Sequence, residues 1–429
     1  MRKRIIIVSI SLAIILALSG LAVSEIEKKK KDDLYRQVEL FSDALAIIQT
    51  DYVDEPKSKD LIYGALKGML ASLDPHSQFM DPDTYNELKV DTEGKFGGVG
   101  IEITLKDGLL TIITPIEDTP AWKAGLKSGD QIVKINNDLT REITLSEAVK
   151  KMRGKPGEPV NLTILRESEK KLLEFKIIRG IIKIKDIKEA KILEDGIAYI
   201  RLIEFREDTG KNIISALDRL NKEGMSALVL DLRNNPGGLL DAAVKVAEQF
   251  IEKGRIIVTT KSRIEQQNME IVSQDKDPIL NIPMVVLINE GSASGSEIVA
   301  GALKDYKRAI IMGTKSFGKG SVQTVIPLSD GSALRLTTSK YFSPLGNEIH
   351  GKGVVPDIII EDGIIESGQL AKAKDEEAKG AFDGLEEANE KVPEINKPFD
   401  YKKDSQLMRS VDVLKAAKIL GQSKIDEKR

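Results

Sequence analysis

Three junctions in the C-terminal half of the chain carry residue types that could do covalent chemistry. Asp231 to Gly238 (DLRNNPGG) leaves an apolar run, Ala227–Leu232, and enters a helical pattern. The N–H groups of Gly237, Gly238 and Leu239 would lie at a helix start, where unpaired donors and the helix dipole stabilise an anion. A tight turn that merely needs glycine explains the same letters equally well. Asn289 to Glu297 (NEGSASGSE) places three serines among small residues after the strand-like Met284–Ile288. A serine in such a turn has an exposed hydroxyl near the positive end of a helix. The spacing is not that of the G-x-S-x-G elbow, because Ala293 stands where that motif needs serine. Without a base nearby, a small-residue N-cap is the plainer reading.

The base would have to come from the third junction, Gly313 to Gly320 (GTKSFGKG), followed by Ser321, Val322 and Gln323. It approaches a Walker A loop, but Gly320 replaces the Ser/Thr that holds magnesium, and the next residues read as a strand rather than a helix. Nucleotide binding is therefore rejected. In an extended segment Lys319, Ser321 and Gln323 share one face, presenting an amine and an amide together. A solvated loop lysine is the commoner occurrence of such a residue. Joined, the junctions suggest a serine activated by a lysine. Lys319 would have to be neutral, its pKa lowered by burial from about 10.4. Gln323 would orient the amine, and glycine N–H groups would receive the oxyanion.

Composition narrows the choice of base. The chain has 429 residues, no cysteine and two histidines, His76 and His350. Thiol nucleophiles, disulfides, Cys-ligated zinc and lipoprotein acylation are excluded together. A multi-histidine metal site is nearly excluded, so no metal and no cofactor is expected. A histidine-based hydrolase would have to use one of those two residues. With 64 basic and 67 acidic side chains the net charge of −3 offers nothing to nucleic acid.

The elements that must position these junctions follow from periodicity. Strands alternate with helices from Ile197 onward: 196–205, 210–222, 227–232, 239–251, 284–288, 296–305 and 309–312. Apolar strands in alternation with helices predict a mostly parallel sheet covered by helices. Before it, 92–180 shows short strand-like runs at 99–105, 109–114, 131–135, 160–166 and 172–178, with one helix at 145–153, which is a compact β-rich module. Residues 34–90 read as helical, with Val38, Phe41, Ala44, Leu45 and Ile48 at helical spacing. His76, beside a proline, reads as a capping or packing residue. Residues 372–405 read as a charged connection, and Leu407, Val411 and Leu414 as one face of a terminal helix suited to docking or dimerisation. At the other end, Met1–Arg4 is basic and Ile5–Ser24 is without charge, predicting an export signal or uncleaved signal-anchor over 1–24.

DLRNNPGG, NEGSASGSEIVAGALKDY and SFGKGSVQ, in this order, resemble the carboxyl-terminal processing (tail-specific) serine proteases. So do LDPHSQFM, FGGVGIEI, DTPAWKAGLKSGDQIVKIN and GKGVVPD. The resemblance implies a multidomain α/β chain: a crotonase-like α/β protease core (181–365), an inserted β-rich PDZ domain (92–180), and helical N- and C-terminal segments, the latter within 366–429. It implies Ser294 as nucleophile, Lys319 as general base and Gln323 as its partner. The oxyanion donors it implies are Gly295 and one of Gly237 or Gly238. Gly295 departs from the alanine usual in the family, which keeps the N–H donor but frees the backbone. Phe96, Gly97, Gly98, Val99 and Gly100 would bind a peptide carboxylate, with Ile101 opening the strand that pairs with the peptide. Arg166 is a candidate for coupling peptide occupancy to the active site. The implied protein is an exported, extracytoplasmic or periplasmic endopeptidase, held at the membrane by its N-terminal segment. It would act on proteins with accessible C-termini through an acyl-enzyme, with a homodimer or higher oligomer as a possible assembly. The rivals are a catalytically idle PDZ adaptor for C-termini and a hydrolase using His350 or His76.

Overall fold

The computed structural model describes residues 33–106, 108–141, 143–167, 169–275, 277–279, 281–363 and 400–426. The expected export segment over 1–24 and most of the charged connection lie outside them. Among the described residues no helix is long and apolar enough to cross a membrane. The chain divides into two compact units: one made of the described residues up to Asp81 with Val325–Leu336, the other of Pro82–Thr324 with Thr337 onward.

The first unit holds a helix over 33–51, the helix Ser58–Ala71 and the short strand Gln78–Met80, which pairs antiparallel with Arg335–Ala333. Helical spacing correctly locates the first helix. Its apolar residues Val38, Phe41 and Ile48 are nevertheless exposed.

Within the second unit, the β-rich module forms around its own core of Leu110, Ile112, Ile132, Ile135, Leu162 and Ile164. Its sheet runs Ile101–Lys106, Leu109–Pro115, Gln131–Ile135, Pro159–Arg166, Lys171–Ile178 in spatial order, all pairs antiparallel. The alternating burial of Pro159–Arg166 reflects a sheet with one face on this core. Ile101–Lys106 lies at the sheet's edge. The helix Leu145–Met152 starts at a capping box, Thr144 with Glu147, and buries Ala148 and Met152.

The core sheet has six strands in the order Ile187–Ile192, Ile197–Leu202, Ala227–Asp231, Met284–Ile288, Ile310–Gly313, Ile358–Ile359. The first pair is antiparallel and the others are parallel. Ala227–Asp231 and Met284–Ile288 are buried throughout, as strands covered on both faces must be. Leu228, Leu230, Val286 and Ile288 face the helices Thr209–Lys222, Leu240–Glu248 and Gly295–Asp305, which contribute Ile213, Leu217, Val246, Ile298 and Val299. Alternate positions, Tyr199, Ala227, Val229, Val285 and Leu287, face the other way onto Leu407, Val411 and Leu414 of the helix Ser405–Asp426. The terminal helix therefore docks within its own chain, covering the second face of the sheet. A second sheet pairs Ile256–Ser262 with Met269–Val272 and with Ser339–Phe342.

Leu414 is almost completely buried at this contact. Replacing it with alanine should destabilise the protein by about 2–4 kcal/mol, measured as a shift in the denaturant midpoint.

Candidate active site

The parallel order brings the three junctions together, because strands Ala227–Asp231, Met284–Ile288 and Ile310–Gly313 are adjacent and end on the same side. In such sheets the crevice beyond the carboxyl ends of the strands is where ligands bind.

The first two loops are stitched by Asn235. Its backbone oxygen accepts from the Ala293 N–H (3.0 Å) and the Ser296 hydroxyl (2.9 Å), and its side-chain amide donates to Leu202 O at 2.9 Å. Ser292 is likewise spent on structure, donating its hydroxyl to Leu232 O at 2.8 Å while accepting from the Asn289 N–H at 2.9 Å. Of the three serines, Ser294 is the one whose backbone is strained. It caps the helix Gly295–Asp305 at φ 51°, ψ −110°. That conformation costs a non-glycine residue about 1–3 kcal/mol and persists only where the surroundings enforce it.

The enforcing group is Glu297, fully buried one helical turn on. One carboxylate oxygen accepts the N–H of Ser294 at 2.9 Å and the N–H of Lys319 at 2.8 Å. The other accepts the Ser316 hydroxyl and the Gly318 N–H, both at 2.6 Å. The backbone nitrogens of Ser294 and Lys319 are thereby within about 6 Å of each other. Burial raises the Glu297 carboxyl above the ordinary carboxylate range, while these hydrogen bonds pull it back down. The signal in the sequence is the S-x-x-E spacing of a capping box, Ser294 to Glu297. Reading the junctions for nucleophiles and bases passes over it.

Gly237 packs directly on the serine. A Cβ at Gly237, where φ is 103°, would lie 2.7 Å from the Ser294 Cβ and 2.8 Å from the Gly295 nitrogen. Its own N–H donates to Asn235 Oδ1 at 2.9 Å. The N–H groups of Gly238 and Gly295, by contrast, carry no hydrogen bond among the described residues. Phe205 fixes this loop, its N–H donating to Gly237 O and its carbonyl accepting the Leu239 N–H, both at 2.8 Å. An added Cβ at Gly295 would stand 3.0 Å from the Phe205 ring and 3.2 Å from Ala243, so these neighbours would have to give by a few tenths of an ångström.

Lys319 is half-buried in the loop just before the strand Ser321–Pro327, so the extended segment begins two residues later than supposed. Gln323 lies on that strand, and its Nε2 is buried without a hydrogen-bond partner. Tyr341 is a further buried neighbour that sequence reasoning missed. Its N–H donates to Gly320 O at 2.8 Å. Burial pushes its phenol up, and a hydrogen bond with the Ser294 side chain acts in the opposite sense.

His350 backs onto the same loop, its backbone nitrogen 2.2 Å from where a Gly320 Cβ would stand, but its Nδ1 is buried without a hydrogen-bond partner. His76 belongs to the other compact unit, where its backbone N–H donates to the Asp74 carboxylate at 2.8 Å. Among the described residues no cluster of His, Asp or Glu could hold a metal ion.

In the β-rich module, Phe96, Gly97 and Gly98 lie on the strand Lys95–Gly98, which pairs with Gly180–Lys183. Gly97 comes so close to the backbone of Gly154 that a Cβ would meet its oxygen at 2.0 Å. The N–H groups of Val99 and Gly100 carry no hydrogen bond among the described residues, and Ile101 then begins the edge strand. Arg166 is buried within the module, donating to both oxygens of Asp130 (2.8 and 2.7 Å) and to Gly125 O (3.0 Å). These Asp130 hydrogen bonds raise the Arg166 pKa. A coupling role would require that bond set to open.

Residues 196–360 match peptidase family S41, residues 111–166 a PDZ domain, and residues 17–84 the activating protease CtpB N-terminal domain. The chain is 42% identical over 397 residues to a carboxy-terminal-processing protease of Bartonella bacilliformis, covering 91% of each. It is 36% identical over 345 residues to the carboxyl-terminal-processing protease of a Picosynechococcus strain, covering 79% of this chain and 83% of that one. Among solved structures it resembles the photosystem II D1 C-terminal processing protease, at 30% identity over 75% of this chain and 92% of that chain, with a TM-score of 0.43.

Two substitutions test the arrangement. Glu297→Gln turns an amide N–H₂ toward donors that need an acceptor, and should lower kcat about a hundredfold with a native circular dichroism spectrum. Gly295→Ala presses on Phe205 and through it on the Gly237–Leu239 loop. Steady-state kinetics should show a loss in kcat of about fivefold, with KM little changed.

Proposed function

The chain belongs to the carboxyl-terminal-processing family of S41 serine peptidases with a PDZ domain, and from that premise we propose that Ser294 is its nucleophile and Lys319 its general base. The observation that carries this reading is the Glu297 carboxylate, which holds the backbone of both residues at once. Lys319, neutral when it acts, takes the Ser294 proton as the oxygen attacks a peptide carbonyl. The tetrahedral oxyanion forms against the N–H groups of Gly295 and Gly238, which carry no hydrogen bond among the described residues. Gly237 serves by close packing rather than by donation, since its N–H is committed to Asn235. Collapse of the intermediate expels the amine, which receives the proton from Lys319, and leaves an acyl-enzyme that water hydrolyses. The Gln323 amide, buried and unpartnered, suits the task of orienting the lysine amine.

Substrate selection fits the PDZ domain. The free edge of Ile101–Lys106 offers main-chain pairing to an extended peptide, and the unpaired N–H groups of Val99 and Gly100 suit a terminal carboxylate. The chain would thus hold protein C-termini while Ser294 cleaves. The basic and apolar composition of residues 1–24 supports export and retention at a membrane.

Ser294→Ala should abolish cleavage of an unfolded protein substrate while binding of a C-terminal peptide, followed by fluorescence anisotropy, is unchanged. Lys319→Ala should do the same, and His350→Ala should retain acylation. Serine-independent cleavage would refute the dyad. Loss of acylation in His350→Ala but not in Lys319→Ala would transfer the role of base to the histidine. No serine-dependent cleavage under any condition would leave an adaptor. Mass spectrometry of wild-type and Ser294→Ala digests gives the cleavage sites in the same experiment.

A further inference from the structure

Asp231 ends its strand on the face that carries Ala227 and Val229, away from the helices beneath Ser294. Its carboxylate is completely buried and accepts from the Tyr199 hydroxyl at 2.8 Å. It also accepts from Arg233: the backbone N–H and Nε at 3.0 Å, and Nη2 at 2.7 Å. The remaining donors of the Arg233 guanidinium turn to residues far along the chain. Nη1 donates to Asp404 at 3.0 Å and to the Gln406 side chain at 2.9 Å, and Nη2 donates to Asp404 at 2.7 Å. Gln406 is itself fixed, its amide donating to Ile360 O at 2.7 Å. Burial works against charge on both Arg233 and Asp404, and the mutual hydrogen bonds outweigh it, raising the arginine and lowering the aspartate.

Arg233 is four residues before Gly237, and Asn234 and Asn235 between them make the bonds that dock this loop on Ser294's own. The start of the oxyanion loop is therefore gripped from the opposite face of the sheet by a segment outside the S41 match at 196–360. We infer that Asp404, assisted by Gln406, is a positioning residue for catalysis: it holds Arg233, and through Arg233 the loop whose Gly238 N–H meets the oxyanion. This rests on the serine–lysine reading above. An arginine bound by Asp231 alone keeps its charge paired but is held along one edge, and a loop displaced by a fraction of an ångström loses donor alignment. The terminal helix then contributes to turnover as well as to stability.

The test uses the full chain with Asp404→Ala, Asp404→Asn and Gln406→Ala. Lys415→Ala serves as control, since it removes the same helix's ion pair to Glu194 and touches nothing near Arg233. Four quantities are read: kcat and KM on an unfolded substrate, inhibition by a peptide aldehyde, C-terminal peptide binding, and thermal midpoint. The aldehyde matters because the serine oxygen adds to its carbonyl carbon and the carbonyl oxygen then occupies the oxyanion position. Asp404→Ala should lower kcat and aldehyde affinity together by about tenfold or more, with KM and C-terminal peptide binding unchanged. Asp404→Asn and Gln406→Ala should fall between it and wild type, and Lys415→Ala should match wild type in kcat. Folded Asp404→Ala with wild-type kcat and aldehyde affinity would overturn the inference. So would an equal loss in Lys415→Ala, which would reduce the effect to helix docking. If Asp404→Ala fails to fold, Asp404→Asn and Gln406→Ala decide by the same two readouts. The premise fails separately: aldehyde binding that survives Ser294→Ala would remove the nucleophile and leave the clamp without an oxyanion to serve.

Discussion

One buried carboxylate holds the site together. Glu297 is reached by donors from two loops that follow different strands, and each of those donors would cost about 1–3 kcal/mol if left buried without an acceptor. Its position follows from helix geometry. Three residues after an N-cap, a glutamate reaches back to the capping N–H, and here the same carboxylate also accepts from the loop of the neighbouring strand. The strained backbone of Ser294 is a consequence. The residue is fixed from one side by this bond and from the other by Gly237, which presents no side chain to push back.

The sheet beneath supplies the rigid frame and has two faces to cover. The helices that follow its strands cover one. The other is covered by Leu407, Val411 and Leu414, and complete burial of a leucine or valine contributes about 1.5–3 kcal/mol. Polar pairing between Arg233, Asp231 and Asp404 sits at the rim of this apolar contact. That cluster ties the residue just before the terminal helix to the end of the strand Ala227–Asp231.

Much of this was legible from residue order. Apolar runs at 227–232 and 284–288 separated by helical patterns announced parallel strands, and the glycines at 237–238, 318 and 320 marked the loops that close on Ser294. The five strands of the PDZ domain were readable as short strand-like runs, and Pro159–Arg166 shows the alternation of a strand with one face on the core. What stayed hidden depends on pairs remote in sequence. Arg233 and Asp404 are 171 positions apart, and no periodicity links them. Tyr341 reads as one aromatic in a β-rich stretch, and only pairing with Gly320 brings it to the serine. Ile256–Ser262 has β-branched residues, but its partners are antiparallel segments outside the strand–helix alternation. The helix over 33–51 shows the converse: its periodicity was plain, yet spacing specifies an apolar face and not what covers it.

The placement of the terminal helix has a consequence for synthesis. A ribosome delivers the chain from its amino end, so Ser294, Lys319 and every described strand of the core sheet emerge before Asp404 does. Until that segment has followed, Val229, Val285 and Leu287 lack the leucines and valine of the terminal helix, and Arg233 has Asp231 but neither Asp404 nor Gln406. A chain built in this order completes the second face of its core sheet only when the helix Ser405–Asp426 arrives.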